Sequence, residues 1–217
     1  SPNSIISSNT STIPLSILTQ EMSDSMKADF CITHFFNPVR FMRLLEIVET
    51  PTMNKDKMGG LRDFCKNELG KGIVNCNDTP GFIGNRIGVY AMQVAMYEAL
   101  ERGLPVEIAD ALFGRPLGIP KTGVFGLYDL IGIDLMKDVL ASFKKELQEN
   151  DPFMDVVKPH PLVEKLLEKG FNGNKGPGGF YQTTIVEGDE HVKAMNTSDM
   201  SYYDFDKVDL EIARRVE

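Results

Sequence analysis

The first third of the chain alternates short apolar runs with turns and amphipathic segments. The apolar runs are rich in β-branched and aromatic residues and end at residues that favour turns, which predicts strands. The longer segments repeat their apolar residues at helical spacing. Strands are predicted near Ile5-Ile6 and at 29–35, 44–49 and 71–76, and helices at 15–22 and 54–69. This alternation indicates an α/β layer.

From residue 78 onward the pattern is typical of helices. Asp78 or Thr79 can cap the first of them, with Pro80 in its first turn. Apolar residues then recur at steps of four and three along a helix that ends at Gly103. They form one stripe, which consists of Ile83, Ile87, Tyr90, Val94 and Tyr97. Further helices are predicted at 105–113, 123–131, 132–148 and 161–169.

The remaining segments are glycine-rich or polar. The loop GNKGPGGFY at 173–181 resembles a phosphate-binding loop only in composition, because no strand-to-helix context surrounds it. Residues 186–217 are polar and acidic apart from a few aromatic residues. We interpret this segment as a tail or a linker toward a further module.

Composition and charge describe a globular chain. Its 217 residues are 42% hydrophobic and 25% charged, with a net charge of −8. The acidic excess argues against general attraction to nucleic acid or to a membrane surface, so an anionic ligand would need a local site. Cys31, Cys65 and Cys76 fit neither a paired disulfide framework nor a metal clip. We therefore expect a reducing, cytoplasmic compartment, with no secretory leader and no run near the roughly 20 apolar residues of a membrane span.

His34 is the most informative single residue, because it lies at the end of an apolar strand. Histidine is the usual general base near neutral pH, and a carboxylate on its far nitrogen fixes its tautomer. If strands 29–35 and 44–50 pair in antiparallel fashion about position 40, His34 lies directly opposite Glu46. The spacing therefore permits a His–Glu dyad. The alternative is a histidine satisfied by the backbone and a glutamate on a solvated face.

Two further features are candidates for the same site. Asn85 lies early in the helix that follows residue 78, where its amide could orient a hydroxyl or a carbonyl, although an asparagine there is more often a local hydrogen bonder. The turn SSNTS at 7–11 leaves the first strand at its carboxyl end, which is where open α/β sheets bind ligands. The sequence has no HExxH, CxxC, GxSxG or GxGxxG motif, and its histidines are too dispersed to predict a metal site.

Several motifs resemble, in their order along the chain, the L-3-hydroxyacyl-CoA dehydrogenases of fatty acid β-oxidation. They are SNTS (8–11), HFFNP (34–38), Glu46, DTPGFIGNR (78–86), KTGVFGLYDLIGIDL (121–135) and NKGPGGFY (174–181). The resemblance implies the C-terminal portion of a Rossmann-type NAD-binding domain at 1–79 and a helical substrate and dimerisation domain at 80–185. The long tail is closest to bacterial multifunctional proteins that join this dehydrogenase to an enoyl-CoA hydratase.

The resemblance also implies a reaction and assigns residues to it. In the family, NAD takes a hydride from C3 of (S)-3-hydroxyacyl-CoA while a histidine removes the hydroxyl proton, which leaves a 3-ketoacyl-CoA. His34 matches that histidine, and Glu46 matches its acidic partner. Ser11 matches a serine that bonds the substrate oxygen, and Asn85 an asparagine that supports the histidine and the substrate. The positions that resemble cofactor contacts are Asn9, Asn37 and Lys175.

One part of the family pattern is missing. The family begins with a glycine loop and an acidic residue that hold the ADP half of NAD, and this sequence contains neither. We therefore expect the 217-residue polypeptide to bind NAD poorly and to be inactive or nearly so, as a fragment of an active parent. An exposed sheet edge and the helix at 82–103 favour association, as a homodimer or with a duplicate helical domain.

Two other classes of protein are alternatives to this hypothesis. A β-hydroxyacid dehydrogenase has a related plan but uses a lysine on the long helix, and no lysine occurs between Gly81 and Gly103. A non-catalytic structural relative such as lambda-crystallin, or a domain that serves only assembly, is the alternative from another class. The intact set of candidate catalytic residues gives no sign of lost catalysis.

Overall fold

The computed structural model describes residues 4–117, 122–158 and 160–206. The chain divides into two compact units, Ser1–Gly88 and Val89–Glu217. Each unit has its own buried apolar side chains, so each is described separately.

A four-stranded sheet forms the centre of the first unit. Its strands, in sheet order, are β1 (Ile6–Ser8), β2 (Phe30–Phe35), β3 (Leu44–Val48) and β4 (Gly72–Asn75). β2 and β3 are antiparallel, whereas the two outer pairs are parallel. The four predicted strands are confirmed, with small differences at their ends.

Three helices accompany this sheet. They are α1 (Leu15–Leu18), α2 (Asp24–Lys27) and α3 (Lys55–Asn67). The side chain of Asn54 caps α3 by accepting hydrogen bonds from two backbone N–H groups of its first turn, both at 3.1 Å. The pattern of apolar residues does not predict α2, because this helix buries no side chain.

Apolar side chains cover both faces of the sheet. On one face, Cys31, Leu45 and Ile47 pack with Met58 and Cys65 of α3. The other face carries a second cluster, formed by Leu15, Phe30, Ile32, Val48 and Phe82. The alternation of side chains along β2 and β3 therefore separates an α3 face from an opposite face.

The predicted cap at Asp78 or Thr79 is wrong. The carboxylate of Asp78 accepts hydrogen bonds from the backbone N–H groups of Leu15 and Ser16, the latter at 2.9 Å, and so caps α1. α1 follows Pro14, whose side chain offers no acceptor, so its first N–H groups need a distant partner. The following long helix, α4, spans Gly84–Glu101 and begins after a series of turns.

Helices form most of the second unit. Beyond α4 they are α5 (Val106–Leu112), α6 (Phe125–Ile131), α7 (Ile133–Glu146) and α8 (Pro161–Glu168). These four confirm the helices predicted from periodicity. The largest side chains in their core are Phe125, Tyr128, Phe143 and Phe180, all fully buried. Lys121, the first residue of the KTGVFGLYDLIGIDL motif, lies outside the described residues.

Four of the five residues in the apolar stripe predicted along α4 do not face the core of the chain, whereas the fifth, Tyr97, packs against the core of the second unit. Ile83, Ile87, Tyr90 and Val94 are exposed by 37% to 66%. The residues that α4 buries lie on another face of the helix, namely Val89, Gln93, Ala95, Met96 and Ala99. Two faces of α4 are apolar, and periodicity alone does not distinguish a core face from a free one.

The segment after residue 180 differs from the expected polar tail. β5 (Tyr181–Val186), β6 (Asp189–Met195) and β7 (Tyr202–Tyr203) form a three-stranded antiparallel sheet. Ala194 and Met195 are completely buried in the core of the second unit. Most side chains of the β5–β6 hairpin are exposed, and many of them are polar. Its sequence therefore lacks the hydrophobic pattern from which strands are predicted. The rest of the expected tail, 207–217, lies outside the described residues.

Candidate active site

β2 and β3 bring His34 and Glu46 together. The register of the two strands pairs these residues directly, as the antiparallel arrangement predicted. Nδ1 of His34 lies 2.7 Å from Oε2 of Glu46. His34 is 5% exposed and Glu46 is fully buried, so the hydrogen bond between them is shielded from water. Glu46 points away from the α3 face, because it alternates with Leu45 and Ile47, and His34 shares its face because the two residues are paired.

The Glu46 carboxylate also accepts hydrogen bonds from the backbone at the start of α4. Its Oε1 accepts hydrogen bonds from the backbone N–H of Ile83 at 3.0 Å and of Gly84 at 2.7 Å. Burial raises the pKa of this carboxyl, but the hydrogen bonds from His34, Gly84 and Ile83 outweigh it, so the net pKa is lower than the ordinary value. Glu46 is therefore ionised at neutral pH.

An ionised Glu46 fixes the tautomer of His34. A carboxylate only accepts hydrogen bonds, so we infer that Nδ1 of His34 carries the proton and donates it to Oε2. Nε2 then has a free lone pair. A neutral imidazole with a carboxylate behind it can take a proton at Nε2 and be stabilised as the cation.

Aromatic rings hold the imidazole from two sides. The ring centroids of Phe36 and Phe82 lie 4.6 Å and 5.6 Å from that of His34. Gly84 allows this packing, because a Cβ at that position would lie 2.5 Å from Cζ of Phe36 and 3.5 Å from Oε1 of Glu46. Sequence reasoning gave neither Phe82 nor Gly84 a role, and their only signal is that they occur within the DTPGFIGNR motif.

The turn after β1 lies at the same edge of the sheet. The side chain of Asn9 accepts a hydrogen bond of 2.9 Å from the backbone N–H of Phe35, the residue after His34. β1 and β2 are parallel, so their carboxyl ends meet there. Ser11 is half-buried two residues beyond Asn9, and Asn37 is exposed just after β2. The structure thus brings Asn9 to the end of β2, and Asn37 follows that strand along the chain, whereas no contact of Ser11 with β2 is found among the described residues.

Two further residues lie near the Glu46 carboxylate. Asn85 is next in the chain to a residue that bonds to it, and Cys76 is close enough to feel its charge. Asn85 is half-buried and directly follows Gly84, whose N–H bonds Glu46. Burial raises the pKa of the Cys76 thiol to about 11, and the nearby charge of Glu46 acts in the same direction. The thiol therefore stays protonated, and it donates to the backbone carbonyl oxygen of Val74 at 3.7 Å. Sequence reasoning gave Cys76 no place near the site.

Lys175 belongs to the second unit and lies in the glycine loop before β5. Its Nζ is 3.3 Å from Oδ1 of Asp134, near the start of α7. The loop is anchored by Asp129, whose carboxylate accepts hydrogen bonds from the N–H groups of Phe180 at 3.0 Å and Tyr181 at 2.7 Å. The contact found for Lys175 is with a carboxylate of its own unit.

The described residues contain no group of three or more histidine, cysteine or acidic side chains that could hold a metal ion. Among the helices of that same part of the chain, none is long and apolar enough to cross a membrane.

The α/β unit thus has a buried His–Glu pair at the carboxyl end of a strand, which is where open α/β sheets bind ligands and where a histidine can act as a general base. Residues 1–79 match the family model of the 3-hydroxyacyl-CoA dehydrogenase NAD binding domain, and residues 81–183 match that of the 3-hydroxyacyl-CoA dehydrogenase C-terminal domain. The chain therefore belongs to the 3-hydroxyacyl-CoA dehydrogenase family, which confirms the resemblance and the expected fold class.

Individual relatives agree with this assignment. A protein of Rickettsia felis named as a fatty acid oxidation complex trifunctional enzyme is 41% identical over 96% of this chain, which covers 29% of that protein. The mitochondrial hydroxyacyl-coenzyme A dehydrogenase of Rattus norvegicus is 35% identical over 83% of the chain and is covered to 55%. The chain thus spans less than a third of the first relative and about half of the second.

Solved structures show the same fold. The 3-hydroxybutyryl-CoA dehydrogenase of Escherichia coli K12 superposes with a TM-score of 0.70 at 30% identity, over 84% of this chain and 37% of that one. FadB2 of M. tuberculosis gives a TM-score of 0.71 at 28% identity, over 85% of this chain and 62% of the other.

Proposed function

We propose that this chain is part of an NAD-dependent enzyme that oxidises (S)-3-hydroxyacyl-CoA to 3-ketoacyl-CoA in fatty acid β-oxidation. The observation that carries the proposal is the buried hydrogen bond between His34 and Glu46, at the end of a strand in a chain of the 3-hydroxyacyl-CoA dehydrogenase family. Relatives named as fatty acid oxidation enzymes support the metabolic role.

His34 acts as the general base in this proposal. Its Nε2 takes the proton of the 3-hydroxyl group, and Glu46 stabilises the imidazolium through Nδ1. The rings of Phe36 and Phe82 hold the imidazole in one orientation. A positioned base of this kind contributes about 10²–10⁴-fold to the rate.

Ser11 and Asn85 bind the reacting substrate oxygen, and Asn85 also supports His34. Ser11 follows β1 in the turn whose Asn9 bonds to the backbone of Phe35, and Asn85 directly follows Gly84, whose N–H bonds to Glu46. Alignment of the hydroxyl group with the hydride acceptor accounts for much of the remaining acceleration.

Part of the NAD site fits the residues present. The side chains of Asn9 and Asn37, at the carboxyl ends of β1 and β2, suit the nicotinamide and ribose, and Lys175 is a third contact to the cofactor. When bound, NAD supplies the hydride acceptor. No glycine-rich fingerprint for the ADP half occurs among the 217 residues.

Assembly and location are further parts of the proposal. The exposed stripe of α4 supports a homodimer or pairing with a duplicate helical domain. Relatives named as trifunctional enzymes support a fused enoyl-CoA hydratase, and the unpaired cysteines support the cytoplasm. Sedimentation of the chain and of Ile87→Lys tests the assembly: we expect association that this substitution weakens, and a monomeric chain would contradict it.

The activity is tested with the chain expressed together with any residues that its gene encodes before Ser1. We expect (S)-3-hydroxyacyl-CoA to reduce NAD, observed as NADH absorbance, with the (R) isomer as the control. Absence of NADH formation from acyl chains of every length tested would contradict the proposal.

A further inference from the structure

A basic cleft lies along the free edge of the four-stranded sheet. It has a volume of about 680 Å³ and is lined by four cationic side chains, Arg43, Arg62, Lys66 and Lys71, against one carboxylate, Asp63. This concentration of positive charge stands out in a chain whose net charge is −8. The size is that of a pocket for a small molecule.

The cleft is separate from the candidate active site. Ile73 and Asn75 of β4 line it, and the sheet register pairs them with Leu45 and Ile47. Paired residues of parallel strands share one face, so the cleft lies on the α3 face, whereas Glu46 points to the other face. A ligand in the cleft would therefore not be the group that reacts at His34.

The cations of the cleft are only partly neutralised. The side chains of Arg43 and Lys66 make no hydrogen bond or ion pair with the described part of the chain. Arg62 is held in place by the side-chain oxygen of Asn75 at 2.9 Å and by Glu49 at 3.2 Å. Two guanidinium groups and an ammonium group are thus available to an anion, and one of the guanidinium groups is already positioned.

Lys71 adds charge to the cleft without an acidic partner. Its residue is 8% exposed, and its ammonium group donates to the backbone carbonyl oxygens of Val39 and Met42, the latter at 2.8 Å. Carbonyl dipoles stabilise this charge but do not cancel it. Its field therefore still favours an anion at the mouth of the cleft.

The edge of β4 contributes backbone donors. The N–H groups of Gly72 and Cys76 bond to carbonyl oxygens on the β3 side, both at 2.8 Å. Alternate residues of a strand bond to one neighbour, so the N–H groups of Ile73 and Asn75 point to the opposite edge, where no strand of the described chain pairs.

We propose that this cleft binds the pyrophosphate group of a small anionic ligand. Each guanidinium group offers paired donors that match phosphate oxygens, and two adjacent phosphates can reach Arg43 and Arg62 together. The cations are spread over the turn before β3, the helix α3 and the start of β4, which favours two linked phosphates over a single carboxylate. The site is independent of the proposed dehydrogenase activity.

Titration of the 217-residue chain with inorganic pyrophosphate and with ADP, followed by NMR at low salt, tests the site. We expect saturable shifts of the Ile73 and Asn75 amides and none at His34. The double variant Arg43→Gln/Lys66→Gln should weaken binding about tenfold, since it removes two charged partners. Lys55→Gln, on the same helix but outside the cleft, should change affinity less than about twofold.

A comparison of the affinities for inorganic pyrophosphate and for ADP shows which part of the ligand the cleft recognises. Equal affinity shows that the pyrophosphate group alone is bound, and tighter binding of ADP shows that a nucleoside adds contacts; either result supports the proposal. The proposal is overturned if neither ligand saturates, if Lys55→Gln weakens binding as much as the double variant, if the shifts centre on His34, or if an acidic peptide binds and neither phosphate does. In those cases the cations serve only to protect a free sheet edge.

Discussion

The hydrogen bond between His34 and Glu46 follows from a local property of the sequence. Two apolar strands on either side of a turn set an antiparallel register, and that register places the two residues opposite each other. The rings around His34 do not follow in this way. Phe82 reaches the imidazole only because the turns before α4 fold back over the sheet, and no nearby pattern of residues encodes that path.

A substitution of Gly84 tests the packing around the His34–Glu46 pair. In Gly84→Ala the new methyl group would lie 2.5 Å from Cζ of Phe36, so this ring must move away from His34. We expect a loss of about 1–3 kcal/mol in the free energy of unfolding and shifted NMR signals of the His34 ring.

Gly88→Ala is the matched control for that substitution, because nothing lies within 4 Å of a Cβ there. It should leave the His34 signals unchanged and stabilise α4 by up to about 1 kcal/mol. Identical His34 signals in both variants would contradict the packing described for Phe36.

The long helices with a buried face were predictable, and the elements that the sequence pattern missed bury few side chains. α3 and α7 repeat their apolar residues at helical spacing, whereas α2 and the β5–β6 hairpin leave most side chains exposed. The stripe on α4 shows the opposite case, because its apolar spacing is regular but four of its five residues are exposed. Periodicity identifies an amphipathic element without identifying what covers it.

Buried carboxylates join the elements of the second unit. Asp110 accepts hydrogen bonds from the first turn of α6 and from the hydroxyl of Tyr181, and Asp129 accepts from the start of β5. Burial raises the pKa of Asp110 to about 6 and that of Asp129 to about 7, and the hydrogen bonds offset this only in part.

These raised pKa values predict how stability depends on pH. Each carboxyl binds its proton more tightly in the folded chain than in the unfolded one, so the stabilisation is complete below about pH 4. It is lost as the pH rises through about 6 and 7, by up to about 1.4 kcal/mol per pH unit for each group. We expect the free energy of unfolding to fall between about pH 4 and about pH 7 and to level off above that.

Asp129→Asn should flatten this dependence, because it removes one titrating group. Asp138→Asn, an exposed position on α7, is the control and should keep the slope. Denaturant unfolding at several pH values measures both. Equal slopes in the chain and in Asp129→Asn would show that Asp129 does not titrate in this range.

Over the whole chain, the sequence motifs and the two family models indicate the same protein family. The assignment was possible because the motifs that carry chemistry lie at strand ends and helix starts, where order along the chain is informative. The folded hairpin at 181–195 was not predicted, since its core contribution comes from only Ala194 and Met195 near its end.

We expect the 217-residue chain to bind NADH weakly. The chain contains positions suited to the nicotinamide end of the cofactor but no GxGxxG fingerprint for its pyrophosphate. NADH fluorescence titration measures this. Tight, saturable binding that Asn9→Ala abolishes would contradict it.

The most direct test of the account replaces His34 in the chain expressed with any residues that its gene encodes before Ser1. A glutamine side chain is similar in size to histidine but has no basic nitrogen. With (S)-3-hydroxyacyl-CoA and NAD, His34→Gln should lower kcat by about 10²–10⁴-fold with little change in KM, and Glu46→Gln should lower it less. A kcat for His34→Gln within about twofold of the unchanged protein would contradict the assignment of His34 as the general base.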